Sequence, residues 1–157
     1  MYPDEALYPD EALHPAEAPA DPGPELLSPP DVEVAVVSLL GVDAWHVGTE
    51  YEDHPAGSIR VSATGGGRPV DRVVVSPTLL VECWHDEEGA AWRIARTAWA
   101  RLEAASGSVV RLPGGDVVVN RVESSLPNNY PDVNRPRMSR FQFVATVWSR
   151  LVPLGAP

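Results

Sequence analysis

From Arg140 to Leu151 apolar and polar side chains alternate. Phe141, Phe143, Ala145 and Val147 fall on one side of an extended chain, and Arg140, Gln142, Thr146 and Arg150 on the other, with Val144 and Trp148 among them. Period two over this length predicts a strand with one buried face. At ~3.3 Å per residue such a strand would run about 40 Å. It therefore either curves around its own domain or reaches past it to a neighbour. A second strand is predicted over Thr78–Trp84, with Leu79, Val81 and Cys83 on one face, and a third over Val117–Val122, after a Pro113-Gly114-Gly115 turn. Shorter strands are expected at Trp45–Thr49 and Ile59–Ala63, on either side of the turn-rich Asp53-His54-Pro55-Ala56-Gly57. Gly65-Gly66-Gly67 reads as a mobile tip.

The apolar period changes to that of a helix in two places. Val32, Ala35, Val36, Leu39 and Leu40 recur at helical spacing after Ser28-Pro29-Pro30-Asp31, which reads as an N-cap serine, a first-turn proline and an acid three residues on; Gly41 closes the run. The valines there also permit a strand. The longer helix starts at Asp86 as cap, with Glu87 and Glu88 favoured in the first turn by the helix dipole. Ala91, Ile94, Ala95, Ala98, Trp99 and Leu102 form its buried stripe, Arg93, Arg96 and Thr97 lie opposite, and Ser106-Gly107 ends it. This order of elements predicts an α+β fold: one small domain, a mostly antiparallel or mixed sheet, one long helix and one shorter N-terminal helix.

Charge changes the picture only at the front of the chain. The formal net charge is −10, yet residues 1–33 hold nine acids and no base. The remaining thirteen acids nearly balance twelve arginines, and there is no lysine. Tyr-Pro-Asp-Glu-Ala-Leu occurs twice, at 2–7 and 8–13, and eight of the 17 prolines lie within residues 1–30. Such a segment cannot bury enough apolar surface to offset its ordering entropy, so a disordered, acidic, Pro-rich arm is expected over 1–27. The folded domain is expected over 28–152, with a short tail at 153–157. No run approaches a membrane span, and the acidic start is unlike a signal peptide.

Candidate chemistry is thin. The single cysteine, Cys83, sits in an apolar run and excludes a disulfide framework within the chain. His46, Glu50, Asp53 and His54 lack the helical pairing that fixes imidazoles on a metal, and the acids of His85-Asp86-Glu87-Glu88 are explained by helix capping. Gly65-Gly66-Gly67-Arg68 is not followed by the Lys-Ser/Thr of a phosphate loop. No catalytic residue, cofactor or metal is expected. Arg135, Arg137 and Arg140, answered locally only by Asp132, form a basic patch. It reads as a solvated turn, a protein contact or a nucleic-acid contact, and the near-neutral body argues against general DNA binding.

Taken together, the capped first helix, Pro77-Thr78-Leu79-Leu80-Val81-Glu82-Cys83-Trp84 running into an Ala/Trp/Arg helix, Leu126-Pro127-Asn128-Asn129-Tyr130-Pro131-Asp132, and Arg135-Pro136-Arg137-Met138-Ser139-Arg140-Phe141-Gln142-Phe143-Val144 carry a resemblance. Over about residues 28–151 the chain resembles the tail terminator proteins of long-tailed, siphovirus-type bacteriophages, especially those of actinobacterial hosts. The duplicated acidic arm departs from that pattern. The resemblance implies a virion structural protein, assembled in the host cytoplasm, that forms a homohexameric ring on the head-proximal end of the tail tube. Its partners would be the tail tube protein and the head-completion or connector protein, with DNA only passing through the lumen and no membrane. Arg135, Arg137, Arg140, Phe141, Phe143 and Trp148 are the candidate subunit or tube interface. Another neck, connector or tail tube protein, or a non-viral protein-binding adaptor, is the alternative.

Overall fold

The alternation that predicts the last strand also dictates where that strand must sit, because its apolar side needs a covered face. The computed structural model describes residues 25–43, 45–50, 55–70 and 73–154. In chain order the elements are β1 (Leu27–Ser28), α1 (Val32–Leu40), β2 (His46–Gly48), β3 (Ser58–Val70), β4 (Val74–His85), α2 (Glu88–Ala104), β5 (Ser108–Val110), β6 (Val117–Ser124), β7 (Asn128–Asn129), β8 (Ser139–Arg150) and β9 (Val152–Pro153). One sheet runs β2-β3-β4-β8-β6-β5, with β7 also paired to β8, and β1 and β9 form a separate two-stranded ribbon. Every pairing is antiparallel except β2 with β3. The chain is thus α+β, as its patterning predicts. The 1–27 arm lies almost wholly outside the described residues, as do Asp53 and His54.

Both helices cover the same sheet face. Val32, Ala35, Val36 and Leu40 of α1 and Ala91, Ile94, Ala95, Ala98 and Leu102 of α2 share one core with Ile59, Val61, Leu79, Val81, Cys83, Phe143, Ala145 and Val147. Alanines along α2 let it lie close on the strands, and Trp92 closes its outer margin over Phe141, with ring centroids 5.4 Å apart. Full burial of a side chain such as Leu79 or Phe143 stabilises the fold by about 1.5–3 kcal/mol. No described helix packs on the opposite face, which carries Leu80, Gln142, Val144, Thr146 and Trp148.

Several expectations are corrected. Gly65–Gly67 is not a free tip: the three glycines lie within β3 and pair with Thr78, Pro77 and Ser76. Close approach favours glycine at two of the three positions: a Cβ on Gly66 would stand 3.2 Å from Pro77 Cα, and one on Gly67 would stand 2.6 Å from Ser76 Oγ and force that hydroxyl to turn away. The strand predicted at Ile59–Ala63 therefore runs on to Val70, and its partner β4 starts at Val74. Ser28 is not the α1 cap. It pairs with Val152 in the ribbon, and Asp31 caps instead, its carboxylate accepting from Val34 N at 3.0 Å. At α2 the cap position is Glu87, one residue beyond Asp86, which accepts from Glu87 N. The long strand does not present a free backbone edge: β8 is paired with β4 on one side and with β6 and β7 on the other.

Candidate assembly surface

The exposed end of the sheet where β8 begins is built around one carboxylate. Glu82 interrupts the apolar run of β4 and is 2% exposed. A buried carboxylate needs charged or hydrogen-bonding partners, and two arginines from the flanking strands supply them. Arg60 on β3 donates through Nε to Oε2 at 2.7 Å and also pairs through its terminal nitrogen. Arg140 on β8 donates to Oε1 at 3.1 Å. Both guanidiniums lie over the buried Trp84 ring, 5.8 and 5.9 Å from its centroid.

Arg140 also holds the loop that precedes it. Its Nε donates to Tyr130 O at 2.8 Å, its guanidinium lies 5.3 Å from the centre of the Tyr130 ring, and Asp132 stands 3.9 Å away. The loop's own backbone bonds complete the clamp: Tyr130 N to Arg140 O, Arg135 N to Asp132 O and Met138 N to Arg135 O. Asn129 reaches Glu88 at the start of α2. The segment between β7 and β8 is therefore pre-shaped, with Tyr130 and Val133 facing solvent at 56 and 89% exposure.

The residues singled out from sequence are thus divided by the fold. Arg140 faces inward on Glu82, Arg135 is half-buried, and Arg137 is exposed. Phe141 and Phe143 are core residues under α2 and reach an interface only by fixing the register of β8. Trp148 is half-buried on the helix-free face, with the Arg121 guanidinium 5.4 Å from its ring centre and Glu123 paired to Arg121. Sequence reasoning missed Glu82 and Arg60. The signal available was a charged residue inside Leu79-Leu80-Val81-Glu82-Cys83-Trp84, which a strand buried on both sides admits only when paired.

No group of three or more metal-ligating side chains converges among the described residues. His85 Nδ1 lies 2.7 Å from an Asp86 carboxylate oxygen, and both accept from Glu87 N, so this cluster shapes the turn into α2. Burial pushes the Cys83 thiol far above its ordinary range, with the Glu82 charge adding to the effect, so the folded chain holds an unreactive thiol. No described helix is long and apolar enough to cross a membrane.

At the other end of β8, an open groove of about 590 Å³ separates the β1–β9 ribbon from the turn between β5 and β6. Pro30, Val34, Leu112 and Val152 line it, and among the described residues Asp31 and Asp116 are its charged groups and no basic residue contributes to it.

No protein-family model matches the sequence, and comparison with curated proteins finds no match. Among solved structures, the fold is similar to that of a chain described as "Virion of native gene transfer agent (GTA) particle", with a TM-score of 0.51 and 16% sequence identity. The likeness covers 76% of this chain and 94% of that one, and it is a likeness of fold.

Proposed function

We propose that this chain is a structural protein of a phage-type virion and, within it, the tail terminator: a homohexameric ring that ends the tail tube and presents the surface to which the head's connector docks. The observation that carries this reading is the fold shared with nearly the whole length of a chain from a gene transfer agent virion. The sequence resemblance to tail terminators supports the finer assignment. The role is one of assembly, with no catalytic step. A tube grows because each added ring presents the surface that the previous one did. A terminator matches that surface on one side and offers a different one on the other, which a ring of head-to-tail contacts provides.

Electron microscopy of particles made without this chain tests the assignment. Headless tails of uneven, excessive length should accumulate beside filled, tailless heads. Tails of normal, uniform length joined to heads would rule it out. Normal-length tails that fail to join would move the chain to the head-completion side of the neck.

A further inference from the structure

The loop before β8 and the groove beside β9 lie at opposite ends of the same strand, roughly 36 Å apart at ~3.3 Å per residue, and their surfaces are complementary. The loop offers Tyr130 and Val133, both exposed although the loop is fastened from within, and the exposed Arg137 beside them. The groove offers an apolar floor and, among the described residues, two acids without a base. Its volume of about 590 Å³ lies within the range of about 300–1,000 Å³ typical of pockets that take a drug-sized group.

We infer that the 126–138 loop of one copy seats Tyr130 and Val133 in the groove of the next copy, with Arg137 meeting Asp116 and Asp31 at the rim. The span of β8 separates the two surfaces, so a chain does not fill its own groove. A contact between unlike surfaces passes head to tail from copy to copy and closes into a ring if the rotation per step allows. The acidic arm does not fit this groove: residues 1–24 carry six acids and no base, and they would meet like charge there. Arg140 acts in this contact as a positioning residue, fastening the loop through Glu82 and Tyr130 O. The inference rests on the ring proposed above and specifies which surfaces build it.

Disulfide trapping in the full-length protein tests it. Val133→Cys places a thiol on the loop and Val34→Cys one on the groove wall, both at exposed positions, while the native Cys83 is buried and does not compete. Mixing the two single variants under mild oxidation should give a covalent dimer at several-fold the yield of either alone, and the double variant should give a ladder of oligomers. Arg137→Asp should lower the mixed yield several-fold, and Asp116→Arg in the partner should restore it. Absence of the mixed disulfide overturns the contact. If sedimentation still shows rings, or tail length is still controlled in particles, the terminator reading survives that result. A mixed yield that rises several-fold only when residues 1–24 are deleted would assign the groove to the arm and also overturn the inference.

Discussion

A carboxylate at 2% exposure in the middle of a strand needs partners that stand in for water, and Glu82 has one arginine on each flanking strand to do so. The two partners are unequal. Arg60 pairs with the carboxylate and lies over the Trp84 ring, whereas Arg140 joins that carboxylate to the Tyr130 carbonyl and so ties the loop to the sheet. Breaking a buried pair on one side costs about 3–5 kcal/mol, and the low end applies here because Arg60 remains. Arg140→Ala should therefore destabilise the chain by about 3 kcal/mol in urea unfolding, whereas the exposed Arg137→Ala should stay within about 0.5 kcal/mol. Equal, small effects would mean that the clamp contributes little. The sequence presents Arg135, Arg137 and Arg140 as a single patch because they are close in the chain. Their separation into one inward, one half-buried and one exposed residue depends on Glu82, 58 positions before Arg140, and no local pattern carries that distance.

At the scale of elements, what periodicity reports is burial, and it reported burial well. The faces of β8, β4 and α2 follow the alternation and the helical stripe of their own residues. Periodicity does not report how many neighbours a strand has, so the same pattern suited an edge strand and the central strand that β8 proves to be. Composition misled at Gly65–Gly67, where the chain is paired strand rather than a turn, and Gly66 and Gly67 lie close against Pro77 and Ser76. The groove was not legible at all, because its walls come from three separate parts of the chain, 28–34, 112–117 and 152–153. Val144 shows what a central position demands: its N–H donates to Ser125 Oγ at 3.1 Å, and its carbonyl accepts from Ser125 N at 2.9 Å. Val144→Pro removes that donor inside a strand paired on both sides, where proline is not accommodated. The expected loss is about 3 kcal/mol or more, by analogy with helix interiors, read as a lower midpoint in denaturant. An unchanged midpoint would show that this stretch of β8 tolerates the loss of its bond to Ser125.

For the whole molecule, the first 24 residues are rich in proline and acid and their sequence supplies no apolar stripe. Their removal should leave the thermal midpoint of the monomer unchanged, provided the cut spares Leu27 and Ser28, which pair with β9. A clear fall on calorimetry would place the arm among the stabilising contacts. The central place of β8 has a separate consequence for how the chain comes to be made. β4 and β6 are not bonded to each other; each waits for β8, which leaves the ribosome after both. About sixty-five residues separate His85 from Arg150, which at roughly 5–20 residues per second is about 3 to 13 s of translation. During that interval the apolar β4 hangs with one long edge open, a template for pairing with another nascent chain. Synthesis on polysomes, where many copies emerge side by side, is thus the stage at which this sheet is most exposed to joining the wrong strand.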